Sequence, residues 1–142
     1  MVRLIMSGSG EGKTKQLIEL MENAAENEIG CMVCIEPTRH MSFNLHHQTR
    51  LIDASEFNIS GYEMLKGFIS GLYAGNYDIS HIFIDDLCKV AHNSDEVEIG
   101  RFLLWLDKFS APINLKITLT LSANPDTATD TMRRFMYTAS GR

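Results

Sequence analysis

The sequence predicts an α/β fold: a mostly parallel five-stranded sheet with helices on both of its faces. Short apolar runs alternate along the chain with segments whose apolar residues recur at helical spacing, which is typical of a parallel sheet. A glycine-rich turn joins the first predicted strand to the first predicted helix. Polar residues directly follow several of the predicted strands, and ligands bind at the carboxyl ends of the strands in such sheets.

With 142 residues and 44% hydrophobic content, the chain is long enough for a substantial core, and we predict a single domain over residues 1–142. The net charge of −5 does not favour a broad nucleic-acid-binding face. No apolar run is long enough to span a bilayer, so we predict no membrane partner. Three cysteines, with no signal peptide in the sequence, indicate a reducing compartment, and we predict a cytoplasmic location.

The glycine-rich turn occupies residues 7–14 and reads Ser-Gly-Ser-Gly-Glu-Gly-Lys-Thr. It follows an apolar strand predicted over residues 2–6 and precedes a helix predicted to end near residues 27–28. Glycines let backbone N–H groups come close to a polyphosphate, and the N-terminus of the following helix favours negative charge there. Lys13 would reach the β- and γ-phosphates of a nucleotide, and the Thr14 hydroxyl would bind Mg²⁺.

We therefore predict a phosphate-binding loop, or P-loop, whose residues are Gly8, Ser9, Gly10, Glu11, Gly12, Lys13, Thr14 and Lys15. Its first position carries Ser7, where the usual pattern G-x-x-x-x-G-K-[ST] has glycine. Serine is small and Gly8 follows at once, so the loop could still close. The alternative is a glycine-rich turn between a strand and a helix that binds no ligand.

Four further strands are predicted from apolar runs, over residues 31–35, 50–54, 79–86 and 115–121. Three further helices are predicted. The first opens with a capping box at residues 60–63, in which a serine side chain and a glutamate would satisfy the first N–H groups. The second begins at residues 94–96 with acids in its first turn, as the helix dipole prefers, and the third covers residues 129–137.

Three glycines, Gly67, Gly71 and Gly75, recur at intervals of four along the helix that follows the capping box. Each glycine weakens a helix by roughly 1 kcal/mol relative to alanine. Their alignment therefore predicts a close backbone approach on that side of the helix, either to the chain's own sheet or to a second subunit.

Two carboxylates, Asp85 and Asp86, end the strand predicted over residues 79–86. An acid at the tip of a buried strand is costly unless it meets a cation or hydrogen-bond donors. Downstream of a P-loop that partner is the Mg²⁺ shell, so we predict Thr14 and Asp85 as the metal ligands. The alternative is a turn at the end of the strand in which Asp85 or Asp86 caps the next segment.

Together these stretches resemble the P-loop NTPase superfamily, with Walker A at residues 7–14 and Walker B at residues 82–86. Within it the chain looks most like the RecA-like branch, which includes RecA and the DnaB-type helicases. In that branch the strand after the P-loop helix ends in a glutamate, and Walker B reads as apolar residues, Ile, Asp and a variable residue. The stretches CMVCIEPT at residues 31–38 and IFIDDLCKV at residues 82–90 fit both features.

The resemblance implies that Glu36 polarises the attacking water and that Asp85 holds the Mg²⁺ shell. It also implies that Ser122 or Asn124, at the tip of the last strand, senses the γ-phosphate. Asp86 competes with Glu36 for the role of base, because other P-loop branches place a carboxylate directly after the Walker B aspartate. The alternative for Glu36 is a solvated acid at a strand end before a proline.

Several departures separate the chain from individual branches of the superfamily. It is shorter than a typical RecA-like core, it shows no basic loops for DNA, and it contains neither an insertion like the lid of a nucleotide kinase nor the zinc ribbon of the thymidine kinases. Nucleic acid is therefore not favoured as a partner. If the site takes an arginine from a neighbour, that neighbour would be a second copy of the chain or another protein, and the candidates are Arg39, Arg133 and Arg134.

The predicted function is ATP binding, with Mg²⁺ as cofactor, by a small Mg²⁺-dependent ATPase in which Lys13, Glu36 and Asp86 are the catalytic candidates. The first alternative is a regulatory or assembly module that holds ATP or ADP and hydrolyses little. The second is a P-loop scaffold that binds no nucleotide. No residue in the sequence obviously distinguishes adenine from guanine.

Overall fold

The computed structural model describes residues 1–8, 12–39 and 49–137. The described strands are β1 (Val2–Ser7), β2 (Cys31–Glu36), β3 (Thr49–Asp53), β4 (Ile79–Ile84) and β5 (Lys116–Ser122). The described helices are α1 (Lys13–Asn27), α2 (Tyr62–Gly75), α3 (Leu87–Ala91), α4 (Glu96–Ser110) and α5 (Asp130–Phe135). Two short 3₁₀ turns, Ala54–Phe57 and Pro125–Thr127, follow β3 and β5.

The five strands form one sheet in the order β1-β5-β4-β2-β3, and every neighbouring pair is parallel. The predicted five-stranded parallel sheet is confirmed. Strand β5 lies between β1 and β4, so one strand separates β1 from the strand that leads into Asp85. Because all five strands point the same way, their carboxyl ends meet at one edge of the sheet.

Helices cover both faces of the sheet, as predicted. The larger part of the core packs α2 and α4 against one face and includes Ile69 and Leu103. The smaller part packs Leu17 of α1 against Cys34 and Phe83 on the other face. Since successive residues of a strand point to opposite faces, polar residues two positions beyond Cys34 and Phe83 lie on the same face as α1.

The start of α2 differs from the predicted capping box. The N-cap residue of α2 is Gly61, not Ser60, and it makes no side-chain cap bond. Instead, the Gly61 N–H donates to the Ala91 carbonyl at 2.7 Å, and the Tyr62 hydroxyl donates to the Asn93 carbonyl at 2.6 Å. Gly61 has a φ of 85°, which favours glycine. Contacts with the end of α3 and with Asn93 beyond it therefore fix the beginning of α2, and they override the local sequence signal.

The aligned glycines of α2 do not touch the sheet. No heavy atom lies within 4 Å of the place where a Cβ would stand at Gly67, Gly71 or Gly75, and all three residues are exposed. The close approach to the chain's own sheet is therefore wrong. An approach to a second subunit stays a prediction.

Met136 and Tyr137, which follow α5, lie alongside β1. The Tyr137 N–H donates to the Leu4 carbonyl at 2.7 Å, and Met136 forms an isolated parallel bridge with Leu4. The Arg3 guanidinium lies 5.1 Å from the centre of the Tyr137 ring. The described chain therefore contacts β1 on the side away from β5.

A buried polar cluster ties the end of α1 to the amino ends of β4 and β5. Glu28, directly after α1, pairs with Lys116 and lies 4.0 Å from Nδ1 of His81. His81 is only 1% exposed, and its Nε2 lies 2.8 Å from the Thr118 hydroxyl. Burial lowers the pKa of His81 to about 3, so this histidine is neutral in the folded protein at neutral pH.

The pKa of His81 predicts a loss of stability in mild acid. The unfolded chain binds a proton at a pKa of about 6.5, whereas the folded chain does so only near 3. The free energy of unfolding should therefore fall by about 1.4 kcal/mol per pH unit below pH 6.5 from this group. Urea unfolding between pH 6 and pH 5, above the range of ordinary carboxylates, should show a steeper decline in the wild type than in His81→Gln. Equal slopes in the two proteins would contradict this assignment.

Gly30 is predicted to be sterically required. A Cβ at Gly30 would stand 2.3 Å from the carbonyl oxygen of Asp78 and 2.9 Å from Cβ of Ser80. Gly30→Ala should destabilise the protein by roughly 1–3 kcal/mol, because the backbone must shift to relieve the contact. Gly71→Ala is the matched control, and it should stabilise α2 by up to about 1 kcal/mol.

Denaturant unfolding of both alanine variants measures this difference. A Gly30→Ala protein as stable as the wild type would contradict the clash. If Gly71→Ala instead weakens a self-association seen in the wild type, that result would support the approach of a second subunit to α2.

Candidate functional site

A cavity of about 610 Å³ lies at the carboxyl edge of the sheet. Five residues predicted from the sequence for phosphate binding, metal binding or catalysis line it: Lys13, Thr14, Asp85, Asp86 and Ser122. Five others also line it: Pro37, Thr38, Ser55, Lys89 and His92. The structure thus brings together the start of α1, the ends of β2, β4 and β5, the turn after β3, and helix α3.

The predicted phosphate-binding residues that the structure describes lie at the start of α1, apart from Gly8. Gly12 is the N-cap residue of α1, with φ 81° and ψ 20° and no side-chain cap. A non-glycine residue would be strained in this left-handed conformation, and an uncapped helix start leaves N–H groups free for an anion. Lys13 is 9% exposed and lines the cavity, whereas Lys15 is exposed. Gly8 directly follows β1.

Three predicted phosphate-binding residues, Ser9, Gly10 and Glu11, lie outside the described residues. Of the predicted phosphate-binding residues, the structure therefore describes Lys13 and Thr14 in the lining of the cavity.

The Thr120 hydroxyl holds the two aspartates that follow β4. It donates to Asp85 Oδ1 at 3.3 Å, and it accepts from the Asp86 N–H at 2.8 Å. Asp85 is 3% exposed, and its own N–H donates to the Ile35 carbonyl at 2.9 Å. Thr120 is fully buried on β5. Its side chain therefore orients both Asp85 and Asp86.

Asp86 adopts a backbone conformation that is unusual for an aspartate. Its φ of 59° and ψ of 73° lie in the left-handed region, and although it is the N-cap residue of α3 its side chain makes no cap bond. Its Oδ2 instead accepts from the Ser122 hydroxyl at 3.4 Å and lies 3.6 Å from Nζ of Lys89. Backbone strain of this kind costs about 1–3 kcal/mol and often accompanies a functional role.

Glu36 lies beside Asp85 but is more deeply buried. It is 1% exposed at the end of β2, and its neighbour Pro37, rather than Glu36, contributes to the cavity lining. Burial raises the pKa of the Cys34 thiol, and the negative charges of Asp85 and Glu36 raise it further. Both carboxylates are thus close to Cys34, which lies on the face of the sheet that α1 covers.

The two candidate sensors at the end of β5 are placed differently. Ser122 lines the cavity and contacts Asp86. Asn124 is exposed, and its side-chain oxygen accepts from the Asp126 N–H at 2.9 Å, where it caps the following 3₁₀ turn. The described geometry therefore places Ser122, rather than Asn124, among the groups that a ligand in the cavity would meet.

None of the three candidate arginines is part of the described cavity lining. Arg133 pairs with Asp130 at 2.8 Å on the exposed side of α5, and the Arg134 guanidinium lies over the Phe135 ring. Arg39, three residues after β2, is exposed.

The two cavity residues that the sequence did not reveal, Lys89 and His92, belong to the segment of α3. This helix has only five residues, Leu87–Ala91, so its apolar positions are too few to show a helical period. His92 follows it with a φ of 55°. The signal that could have found Lys89 is its position three residues after Asp86, which puts an (i, i+3) pair on one turn of helix.

The described residues fit Mg²⁺ held with a phosphate better than a metal held by protein alone. Residues 1–8, 12–39 and 49–137 contain no group of three or more His, Cys, Asp or Glu side chains that could hold a metal ion. Mg²⁺ characteristically takes one or two protein oxygens together with phosphate oxygens and water. The Thr14 hydroxyl and the Asp85 carboxylate, which both line the cavity, match that donor set.

Comparison with known proteins supports the fold. The sequence matches no protein-family model and no curated protein. The structure is similar to the crystal structure of the flagellar accessory protein FlaH from Methanocaldococcus jannaschii, with a TM-score of 0.58 and 14% identity. The match covers 94% of this chain and 65% of the FlaH chain. At this identity the similarity concerns the fold alone, and the chain has the RecA-like α/β architecture.

The described helices include none that is both long and apolar enough to cross a bilayer.

The role of Thr120 predicts a specific loss of stability. Thr120→Val would leave the Asp86 N–H without its acceptor and remove a donor from Asp85, which should cost about 1–3 kcal/mol. Thr120→Ser keeps the hydroxyl and is the matched control, with a smaller cost from the lost methyl group. Denaturant unfolding of both variants checks this, and an equal loss in both would show that packing, not the hydroxyl, is what matters.

Proposed function

We propose that this protein binds a magnesium nucleoside triphosphate, ATP, in the cavity at the carboxyl edge of the sheet and hydrolyses it slowly. The observation that carries the proposal is the convergence of Lys13 and Thr14 with Asp85 on one cavity. Lys13 and Thr14 begin α1 and Asp85 follows β4, so the three residues come from two strand–helix junctions far apart in the sequence. Each has the chemistry that a phosphate–Mg²⁺ complex requires.

The start of α1 would hold the phosphates. Its uncapped N–H groups and the Lys13 ammonium favour negative charge there. Thr14 and Asp85 would hold Mg²⁺, whose charge would stabilise the charge that develops on the phosphate oxygens. Ser122 would contact the same end of the nucleotide, because it lines the cavity beside Asp86.

Either Glu36 or Asp86 would orient the attacking water. The side chain of Asp86 is 14% exposed and lines the cavity, whereas Glu36 is 1% exposed. In the described conformation Asp86 borders the cavity, and Glu36 is not part of the described lining. This difference favours Asp86, and the RecA-like resemblance favours Glu36.

A second candidate function is a nucleotide-binding regulatory or assembly module with little hydrolysis. The observation that favours it is the environment of Asp86, whose Oδ2 is already contacted by Lys89 and Ser122. A carboxylate held in this way is less available to a water molecule. The similarity to an accessory protein, FlaH, is compatible with such a role.

We also propose that residues 1–142 form one nucleotide-binding domain, because β1 and β5, near the two ends of the chain, are neighbours in the sheet. A cytoplasmic location is supported by Cys31, Cys34 and Cys88, which are all free thiols.

Thermal unfolding with Mg·ATP, Mg·ADP and Mg·GTP tests nucleotide binding. A nucleotide present at a hundred times its dissociation constant should add about 2.7 kcal/mol to the stability of the wild type. Lys13→Ala should lose this gain, because the ammonium that contacts the phosphates is removed. Lys108→Ala, which removes the same charge from the exposed last turn of α4, is the control and should keep it. Absence of any shift in the wild type would overturn the proposal.

Phosphate release measured on the same proteins separates the two candidate functions. Hydrolysis that disappears in Lys13→Ala, and in either Glu36→Gln or Asp86→Asn, would establish an ATPase and identify its base. Nucleotide binding without measurable phosphate release would establish the regulatory module instead.

A further inference from the structure

A second lysine lines the cavity opposite the P-loop. Among the described residues, Lys13 and Lys89 are the lysines in the lining. Lys13 opens α1, which follows β1, whereas Lys89 lies in α3, which follows β4. Because β5 separates β1 from β4, the two lysines approach the cavity from strands about 10 Å apart.

The position of Lys89 limits which part of a nucleotide it can reach. A triphosphate held by the start of α1 has its β- and γ-phosphates at Lys13, and the metal that joins them would lie at Thr14 and Asp85. Lys89 lies beyond Asp85, on the turn of helix that follows it. In a triphosphate bound in this way the γ-phosphate would be the phosphate nearest to Lys89, and a diphosphate would leave that space without an anion.

The ion pair between Lys89 and Asp86 is weak. Its ammonium lies 3.6 Å from Asp86 Oδ2, and its side chain is 73% exposed. An ion pair this exposed contributes little to stability, because water screens it and the long side chain loses freedom in forming it. The γ-phosphate carries more charge than one carboxylate, so the ammonium can exchange the Asp86 carboxylate for the phosphate at little cost.

We propose that Lys89 is a specificity-determining residue that contacts the γ-phosphate and thereby favours a nucleoside triphosphate over a diphosphate. This inference rests on the proposed function, since it requires nucleotide in the cavity. It also links the nucleotide to Asp86: when Lys89 moves to the γ-phosphate, one of the two contacts at Asp86 Oδ2 is removed, and the carboxylate becomes available to water.

The test is the ratio of two dissociation constants, measured by calorimetric titration with Mg·ADP and with a non-hydrolysable Mg·ATP analogue. Lys89→Ala should raise the dissociation constant of the triphosphate about tenfold and leave that of the diphosphate within about twofold, the size expected for one charge-assisted contact. Lys89→Arg keeps the charge and should retain most of the preference for triphosphate. Lys108→Ala removes an exposed lysine outside the cavity lining and should change neither constant.

The outcomes separate this inference from the proposal on which it rests. Equal weakening of both nucleotides in Lys89→Ala, or no weakening of either, would overturn the role of Lys89 while the proposed function stands. A wild type that binds neither nucleotide would overturn the proposed function, and the role of Lys89 with it. If Lys89 had only a general structural role, Lys89→Ala would weaken the binding of both nucleotides alike. Weaker binding of the triphosphate alone would therefore overturn that explanation.

Discussion

The parallel pairing of five strands is the constraint on which the rest of the structure depends. Parallel strands in register must end at one edge, so Ser7 pairs with Ser122 and the Asp85 N–H bonds to the Ile35 carbonyl, although these residues are distant in sequence. Shifting one strand by a single residue would turn its polar end to the opposite face. The pairing of the apolar strands therefore determines where the polar residues at their carboxyl ends lie, and so determines the lining of the cavity.

The face of the sheet under α1 carries polar groups at both ends and apolar groups between them. At the carboxyl end are the aspartates held by Thr120, and at the amino end are His81 and Glu28. Between the two ends, Leu17 of α1 packs against the sheet. The charges of the two polar regions are balanced differently. At the amino end, Glu28 pairs with Lys116. At the carboxyl end, two carboxylates line the same cavity as Lys13. A surplus of oxygen ligands suits a site that is completed by a cation.

Every strand was predicted to within about two residues. For the strands inside the sheet the reason is that a strand buried on both faces must be mostly apolar whatever surrounds it. The caps at Asp95 and Thr129 were predictable for a similar reason, since their bonds run to N–H groups three residues away. The cap at Ser60 was wrong because a contact with Asn93, distant in sequence, decides where α2 begins. Lys89 was missed because α3 is too short to leave a periodic signal.

The residues that lie beside β1 bear on how copies of this chain meet one another. A strand at the rim of a sheet offers a row of unused N–H and C=O groups, and another molecule can pair with it and aggregate. The contact from Tyr137 to Leu4 occupies part of that row on β1. At the opposite edge of the sheet lies β3, which has only five residues with which another strand could pair. Two of the five, Arg50 and Asp53, are charged. In the described chain, each rim therefore has a feature that disfavours edge-to-edge growth of the sheet.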